Sequence, residues 1–452
     1  MHRASTVTAL GVAALLVALP ALAQPPPPVP PPSLPPAQPV PPVPPPPVAG
    51  RVVTLDEAVA IALQTQPQIQ ARLFDYAAAR YRVDQALAPL LPQVSGSWTV
   101  ARGQSVTLGN ATPGGATVTR DFGDTSVARV SLSQLLFDFG KTLAATEAAR
   151  KLAEVAAEDV ELQRQLIALA VKEAYTNTLF ARRLIRVAEQ ALERAELNLR
   201  SARGFFEVGT RPRSDVARAE VDVANARVDL IRARNAERLA RVALATAMGL
   251  HVDTVFELED NLAYQPVALD RAALRAEALA QRPEYRQARL QVDAAEAQAR
   301  QAFRNFFPDV TAGGFYGAAR SDFREVWELN LALSWSFFDG GGRLARHREA
   351  RAAVEAARAR VRALELDIVR EVEQAQLSVL EAEERIQAAQ AAVASAQENF
   401  RLAQGRFDAG VGTILELTDA QLELTRAQNT EAQALADYRI ALYRLDRARG
   451  RR

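Results

Sequence analysis

The clearest pattern in the sequence is an alternation of apolar and polar side chains from Trp327 to Phe337. A period of two predicts a β-strand with one apolar face. Its 11 residues are the length of a strand that crosses a bilayer at a tilt. Aromatic residues lie at both ends, where membrane interfaces favour them. Shorter alternations at 94–100 and 129–133 predict further strands.

All three tryptophans of the chain lie in these alternating segments. We therefore predict that Trp98, Trp327 and Trp335 lie at a membrane interface. The connections between paired strands, residues 102–126 and about 318–325, are predicted to be exposed loops. An ordinary sheet that covers a soluble core is the alternative explanation of the same alternation.

A second pattern, typical of helices, fills the long stretches that contain no proline. Residues 141–206 and 342–407 are rich in strong helix formers. Their apolar residues recur at spacings of three and four, as is typical of a helix that packs on neighbours. Each predicted helix of about 66 residues is roughly 100 Å long. Shorter helices are predicted at about 56–88, 214–247, 271–305 and 415–447.

The same order of segments occurs twice. Pro67 corresponds to Pro283 at an offset of 216 residues, and Gly209 corresponds to Gly410 at an offset of 201. We assign the first structural repeat (helix, two strands, long helix, short helix) to residues 51–265 and a second repeat of the same kind to 266–452. Repeats of this kind bury their apolar faces against each other.

The lengths of the helices predict how they pack. Two short helices end to end match one long helix, which predicts a wall of antiparallel helices with alanines at the contacts. The fold class is therefore mainly α with a small β part. Four strands cannot close a barrel, and open strand edges are not tolerated in lipid. Two chains would supply eight strands, whose interior side chains fill, and three chains would supply 12, enough for a lumen.

The N-terminal region differs from the rest of the chain. Residues 1–23 combine a short basic start, an apolar core and a small-residue cleavage pattern, which predicts a secretory signal peptide. A membrane anchor is the alternative. Residues 24–50 form a proline-rich linker that is expected to be an extended polyproline II spacer. A ligand for a proline-binding partner, or a strut into the cell wall, is the alternative function of this linker.

Composition narrows the function classes. The chain has no cysteine, which excludes disulfides and thiolate chemistry, and it has only three histidines. A net charge of +1 gives no reason to expect a nucleic-acid partner. The sequence contains no nucleophile–base set, metal cluster or cofactor loop, and residues 340–342 lack the lysine and hydroxyl of a phosphate loop. We therefore expect neither an enzyme nor a cofactor.

In this order and at this spacing, several segments resemble the TolC-like outer membrane factors of Gram-negative bacteria. They read TLDEAVAIALQTQPQIQ, LLPQVSGS and LSQLLFDFG, with the turns FEVGTRPRSDV and FDAGVGTILELTDAQ. The resemblance covers about 52–449. It implies a homotrimer in which three chains share a 12-stranded transmembrane β-barrel and a long antiparallel α-helical barrel. The N-terminal cysteine that carries a lipid in many relatives is absent, and the proline-rich linker is unusual.

The resemblance also implies function and partners. The family provides passive exit from the periplasm to the exterior, as part of a tripartite efflux pump or a type I secretion system. Its partners are a periplasmic adaptor protein, an inner-membrane pump and outer membrane lipid. The implied location is the outer membrane, with a long periplasmic portion. A periplasmic coiled-coil structural protein without a pore is the alternative, although such a rod does not need the alternating strands.

By the same resemblance, the turns at 207–213 and 408–414 form the periplasmic tip of the tunnel. There the adaptor is expected to dock, and the glycines are expected to supply a positive φ or a close backbone approach. The predicted docking residues are Gly209, Thr210, Arg211, Gly410, Val411 and Gly412.

Three acidic residues, Asp215, Glu416 and Asp419, come just after these turns. Glu416 and Asp419 match the two acidic entrance positions of the family, and their spacing of three puts them on one helix face. In a trimer each position becomes a ring of three carboxylates that attracts cations. The preference of a helix's first turn for acidic residues is the alternative. Where the family often has a basic residue, four positions before Glu416, this chain has Gly412.

Two further aspartates, Asp138 and Asp339, lie between a predicted strand and the long helix that follows it. Aspartate is a preferred residue at helix N-termini because its side chain accepts hydrogen bonds from free main-chain N–H groups. We therefore interpret both as helix caps. Residues 340–342, three glycines, are expected to let the chain turn from strand to helix.

Overall fold

The computed structural model describes residues 50–108, 118–319 and 324–452. The predicted signal peptide and all but the last residue of the proline-rich linker lie outside these ranges. The described chain is mainly helical with a smaller β part, as predicted. No helix within the described ranges is both long enough and apolar enough to cross a membrane.

The elements of the first half come in the order β1, α1, α2, β2, β3, α3, α4. Their bounds are Val52–Val53, Leu55–Thr65, Pro67–Leu87, Gln93–Leu108, Val118–Phe137, Lys141–Glu207 and Arg213–Ala247. The second half continues with β4, α5, α6, β5, β6, α7, α8. Their bounds are Glu257–Leu258, Arg271–Gln281, Pro283–Arg304, Asp309–Ala319, Arg324–Ser334, Gly342–Asp408 and Ile414–Ala448.

The two long helices confirm the prediction made from the proline-free stretches. Helices α3 and α7 have 67 residues each, which corresponds to roughly 100 Å. The helices that follow them, α4 and α8, have 35 residues each and begin and end within a residue of the predicted limits. Helix formers without an internal proline were therefore sufficient to determine these four elements.

The predicted helices at 56–88 and 271–305 are wrong in one respect, because each is broken into two. The breaks occur at Gln66 and Arg282, which both adopt extended backbone with ψ of 119° and 125°. Each of these residues precedes a proline, Pro67 or Pro283, whose ring disfavours the helical conformation in the residue before it. The short helices α1 and α5 therefore stand apart from α2 and α6.

The helices form a wall of four rows. At the break before Pro67, the Gln66 side chain donates hydrogen bonds to the carbonyls of Thr246 (2.9 Å) and Ala247 (2.7 Å), so the end of α4 meets the start of α2. We call this pair the first stack. Arg447 of α8 likewise contacts Glu284 of α6 (3.2 Å), and we call α6 and α8 the second stack. Helix α3 packs against both stacks, and α7 packs against the second. The first stack and α7 are therefore the two free edges of the wall.

The four longer strands form one antiparallel sheet in the order β2-β3-β5-β6. Its central pair, β3 and β5, joins the two halves of the chain. Strands β2 and β6 are the edges. Within the described residues, neither edge strand has a second neighbour.

Two predictions about the strands need correction. The strand predicted at 327–337 is β6, which ends at Ser334 opposite Asp309. The preceding residue of the partner strand, Pro308, has no N–H to continue the ladder, so Trp335 and Phe337 lie beyond the strand. The loop predicted at 102–126 is mostly strand, because β2 and β3 pair as far as Leu108 and Val118. An antiparallel ladder satisfies the hydrogen bonds of main-chain groups whatever the side chains are. The side-chain composition of this segment therefore did not distinguish a strand from a loop. The tip of this connection and residues 320–323 lie outside the described residues.

One face of the sheet is apolar across all four strands. Val94 lies opposite Leu132, which lies opposite Gly314, which lies opposite Leu329. The neighbouring row contains Val130, Tyr316 and Trp327. We call this the apolar face. Its side chains are exposed in the single chain, as 76% for Trp98 and 78% for Leu329 illustrate.

Candidate functional site at the helical hairpin tips

The long helices reverse direction in two short turns, residues 208–212 and 409–413, which we call the hairpin tips. Gly209 and Gly410 have positive φ values of 75° and 78°, a conformation that other residues rarely adopt. Gly412 is needed for a different reason. A Cβ atom at this position would lie 2.9 Å from the Cβ of Arg406 and 3.0 Å from the main-chain nitrogen of Phe407.

The two hairpin tips pack against each other through a small apolar cluster of their own. Phe407, Ile414 and Leu417 are buried there, with Phe205 and Phe400 packed against them. The rings of Phe205 and Phe407 meet edge to face with centroids 5.7 Å apart. This cluster joins residues that are about 200 positions apart in the sequence and fixes the two tips side by side.

Arg211 links the first hairpin tip to the second. Its Nη2 donates hydrogen bonds to the carbonyl oxygens of Gly412 (2.6 Å) and Phe407 (3.5 Å). Its guanidinium carbon lies 4.6 Å from the centre of the Phe407 ring. Its Nη1 lies 3.7 Å from Asp215 Oδ2, and only 13% and 14% of these two side chains are exposed. The sequence predicted Arg211 as a docking residue but did not reveal this contact.

The three predicted entrance acids have different surroundings. Asp215 is paired with Arg211, as described above. Glu416 is half exposed and lies 3.7 Å from Arg406 Nε, while its main-chain N–H donates to the Thr413 hydroxyl at the helix N-cap. Asp419 is exposed one turn later and has no ion-pair partner within the described residues. Glu416 and Asp419 therefore present carboxylates to solvent on α8, whereas the Asp215 carboxylate lies within the contact between the tips.

Polar contacts that the sequence did not predict lie just above the tips. The Asn198 amide donates to Gln421 Oε1 (2.7 Å), and the Gln421 amide donates to the Ala191 carbonyl (3.1 Å). The Thr418 hydroxyl donates to Asp222 Oδ2 (3.0 Å). These bonds join α8 to α3 and α4. No local pattern could have found them, because each depends on which helices are neighbours.

At the opposite end of the long helices, both predicted helix caps accept main-chain hydrogen bonds. Asp138 accepts from the N–H groups of Gly140 (2.9 Å) and Thr142 (2.7 Å). Asp339 accepts from the N–H of Arg343 (2.9 Å). The N-cap positions themselves are Gly140 for α3 and Gly341 for α7, both with positive φ. Burial opposes ionisation of Asp138, but its hydrogen bonds with Thr142 and Gly140 outweigh burial and lower its pKa.

The predicted interface tryptophans are all near the sheet. Trp98 and Trp327 lie on the apolar face of β2 and β6. The indole N–H of Trp98 donates to the Ser126 hydroxyl (2.9 Å). Trp335 lies one residue beyond β6, and its indole N–H donates to the Phe306 carbonyl (3.0 Å). Their role at a membrane interface stays a prediction.

Comparison with known proteins gives a consistent result. The family described as "outer membrane efflux protein" matches residues 58–250 and 274–451 of this chain. The alkaline protease secretion protein AprF of Pseudomonas aeruginosa is 27% identical over 399 residues, which cover 85% of this chain and 82% of AprF. The pyoverdine export outer membrane protein OpmQ of Pseudomonas putida is 24% identical over 387 residues, covering 84% of this chain and 82% of OpmQ.

Solved structures show the same fold. The outer-membrane channel OprN superposes with a TM-score of 0.75 at 22% identity, covering 88% of this chain and 89% of OprN. The outer membrane protein VceC of Vibrio cholerae superposes with a TM-score of 0.73 at 20% identity, covering 88% of this chain and 96% of VceC. At these identities the comparison concerns the fold alone.

Proposed function

The chain belongs to the outer membrane efflux protein family, and from this premise we propose that three copies of it close into a channel for passive exit from the periplasm. The family is one of outer membrane channels and not of enzymes, and its members have a long helical portion in the periplasm. The channel would be the outer membrane component of a tripartite efflux pump or a type I secretion system. Its partners would be a periplasmic adaptor and an inner-membrane pump.

The observation that carries this proposal is the pair of open edges on each layer. Strand β2 is one edge of the sheet and β6 is the other. Because all four strands are antiparallel, β6 of one copy would meet β2 of the next copy in antiparallel orientation. Below the sheet, α7 follows the β6 edge and the first stack precedes the β2 edge. Both layers would therefore close in the same direction around one axis, as a head-to-tail ring requires.

The free edges of the helical wall carry exposed apolar side chains. On α4 they include Val221, Ile231 and Leu239, which are 58%, 67% and 62% exposed. On α7 they include Leu366 and Leu377, which are 74% and 63% exposed. Exposed apolar area of this kind marks contact surfaces. It supports packing of α7 against the first stack of a neighbouring copy.

The number of copies follows from the need for a lumen. Two copies give eight strands, and side chains fill a barrel of that size. Three copies give 12 strands and 12 helical rows. Rows about 8–10 Å apart have a circumference of about 100–120 Å and leave a bore of roughly 20–30 Å between side chains. In such a ring the apolar face of the sheet would contact lipid, and the opposite, polar face would contact water.

The hairpin tips would then form the periplasmic entrance. Glu416 and Asp419, which are exposed on one side of α8, would give two rings of carboxylates in a narrow passage that favours cations. The tip residues Gly209, Thr210, Arg211, Gly410, Val411 and Gly412 would face the adaptor. Arg211 would keep the two tips of each copy together. At position 412, where the family often has a basic residue, this chain has glycine, which has no side chain to make such a contact.

A planar-bilayer measurement tests this function. The mature protein should give discrete, cation-preferring conductance steps, and the double variant E416Q/D419N should reduce that preference. The matched control is E189Q/D229N, which removes the same charges from exposed, ion-paired sites on other helices, farther from the tips. Unchanged selectivity in E416Q/D419N would contradict the entrance assignment. A protein that is soluble without detergent and never conducts would favour the periplasmic structural alternative.

A further inference from the structure

Arginine is concentrated in the first part of α7. Residues 343–362 contain seven arginines and two glutamates, whereas the equivalent stretch of α3, residues 142–161, contains two basic and five acidic residues. The arginines are Arg343, Arg346, Arg348, Arg351, Arg358, Arg360 and Arg362. A long helix of this kind evidently forms without them, so the positive charge calls for a separate explanation.

This basic stretch directly follows the sheet and a group of exposed aromatic residues. Helix α7 begins at Gly342, shortly after β6 ends at Ser334. Between them, Phe337 and Phe338 are 81% and 85% exposed, the highest values among the large apolar side chains of the described chain. Aromatic rings followed by basic side chains are typical of a membrane–water interface, where the rings enter the apolar region and the charges meet headgroups.

An open groove of about 670 Å³ lies between α6 and α7 at this level. Arg351, Arg304 and His347 contribute polar groups to it, and Phe303 contributes an apolar wall. The ring of His347 packs on Phe303 with centroids 5.6 Å apart, and its buried Nδ1 has no hydrogen-bond partner. Glu296 and Glu355 also line the groove, and both pair with Arg358. The groove therefore combines cationic and apolar surface with two carboxylates that are already paired.

The arginines near this groove differ in their ion pairs. Arg358 is paired with Glu296 (2.7 Å) and with Glu355 (2.8 Å). Arg348 and Arg351 have no acidic partner within the described residues. They are three positions apart, so they are neighbours on the helix surface. Their charges remain available for an anionic ligand.

In the proposed ring, Arg351 would lie on the side of α7 that faces away from the bore. On this same side, Arg275 of α5 binds Glu373, and Tyr264 binds Glu383. A helix is about 10 Å thick, so three copies of α5 and its connections would fill most of a bore of roughly 20–30 Å and obstruct it. An open channel therefore requires them to lie outside the bore, together with the groove on the same side of α7. The exposed alanines opposite the packed face of α7, at 345, 352, 356 and 359, leave a separate surface for the next copy.

We propose that Arg348, Arg351 and the adjoining groove bind the phosphate headgroup of an anionic phospholipid in the leaflet that faces the periplasm. Phe337 and Phe338 would enter the acyl region of that leaflet. Guanidinium groups suit phosphate because they donate two parallel hydrogen bonds in a fixed plane. The aromatic side chains beside them favour an amphipathic ligand over a free anion. This inference rests on the proposed function, since it requires the sheet to lie in the membrane.

Lipid retention measured by native mass spectrometry tests the proposal. The mature protein is purified in detergent, mixed with equal amounts of phosphatidylglycerol and phosphatidylcholine, and analysed for bound lipid. The wild type should prefer phosphatidylglycerol. In R348Q/R351Q this preference should fall by about tenfold or more, as expected when two arginine–phosphate contacts at a membrane surface are lost. The matched control is R360Q/R362Q, which loses the same charge from the same helix at exposed positions farther from the sheet.

The outcomes separate the possibilities. An unchanged preference in R348Q/R351Q, with normal helical content, would overturn the proposal. Equal loss in R360Q/R362Q would also overturn it, because general positive charge would then be responsible. Displacement of the lipid by millimolar inorganic phosphate would show a free-anion site instead. If R348Q/R351Q loses the lipid preference but the wild type does not conduct, the proposed function fails and the lipid site stands.

Discussion

Arg211 shows how one side chain joins parts of the chain that are 201 residues apart. Its hydrogen bonds to the second hairpin tip, its contact with the Phe407 ring and its pairing with Asp215 are all largely shielded from water. Partly buried contacts of a charged donor are stronger than those at the surface. We therefore expect Arg211 to stabilise the side-by-side arrangement of the two tips.

The variant R211Q should loosen the tips. A hydrogen bond to a charged group contributes about 1.5–3 kcal/mol, so its loss would shift a closed–open equilibrium of the entrance by about tenfold or more. Single-channel recordings should show a larger conductance or a larger open fraction. The control is R213Q, an exposed neighbour without an acidic partner in the described chain. Identical recordings for R211Q and wild type would show that Arg211 does not hold the entrance.

Tyr175 gives a second prediction at this scale. It is fully buried, and its hydroxyl donates to the carbonyls of Val53 (3.0 Å) and Glu259 (2.9 Å). Burial raises the pKa of Tyr175 to about 12. The ordinary pKa of a tyrosine is about 10. Below this pH the hydroxyl is neutral in both the folded and the unfolded chain, and its stabilising contribution to the fold is fully present. This contribution is lost as the pH rises towards 12.

The variant Y175F should lower the free energy of unfolding by about 1–3 kcal/mol at pH 8, because the carbonyls of Val53 and Glu259 lose the hydroxyl donor that they share. It should also lack the tyrosine-dependent loss of stability between pH 10 and 12. Circular dichroism melting curves across that range measure both effects. Y81F, at a tyrosine that is 58% exposed, serves as the control. If Y175F melts like wild type at pH 8, the two hydrogen bonds do not contribute to stability.

At the scale of elements, the sequence predicted most of the architecture because its signals were local. Gaps between prolines determined α3, α4, α7 and α8, and alternation located β2, β3 and β6. The breaks at Gln66 and Arg282 were readable from Pro67 and Pro283, which had served only as markers of the repeat. The extension of β2 to Leu108 and the contacts of Arg211 were not readable, because they depend on which segments become neighbours in space.

The break at Arg282 has a specific consequence for stability. Arg282 is nearly buried and pairs with Glu371 (2.7 Å) and Glu284 (3.2 Å), and Arg447 pairs with the same two carboxylates. This network joins α6, α7 and the end of α8. Burial would raise the pKa of Glu284, but Arg282 and Arg447 outweigh burial and lower it. The ordinary pKa of a glutamate is about 4.3. Above this pH the ionised Glu284 contributes its full stabilisation to the fold. That contribution is lost as the pH falls through the lowered pKa.

The variant E284Q should be about 1–3 kcal/mol less stable at pH 7, where the charged hydrogen bonds are lost. Its stability should change less than that of wild type between pH 5 and pH 3, since it has no carboxylate to protonate at this site. Melting curves at several pH values give both quantities. E220Q, in an exposed pair with Arg203, is the control. A wild-type acid profile in E284Q would refute the role of this network.

At the scale of the whole molecule, both layers of the described chain end in open edges, as a segment of the proposed ring requires. The sheet has two unpaired edge strands, and the helical wall has two free edges with apolar side chains. The two edges of each layer differ from one another. In the sheet they are β6 and β2, and in the helical wall they are α7 and the first stack. Unlike edges that match head to tail produce a closed ring when the rotation per copy divides a full turn.

The variant I231D should prevent this association. Ile231 lies on α4 at the free edge and is 67% exposed in the single chain. An unpaired carboxylate buried between copies costs several kcal/mol per interface, so detergent-purified I231D should migrate as a monomer on native gels. V255D is the control, since Val255 is 66% exposed but lies outside the helical rows. A stable oligomer of I231D would exclude this edge from the interface.

The most direct test of head-to-tail closure is the mass of the detergent-solubilised protein measured by native mass spectrometry. If each chain supplies a third of both barrels, a single species with the mass of three mature chains should predominate. A predominant monomer, or a dimer with eight strands, would contradict the account.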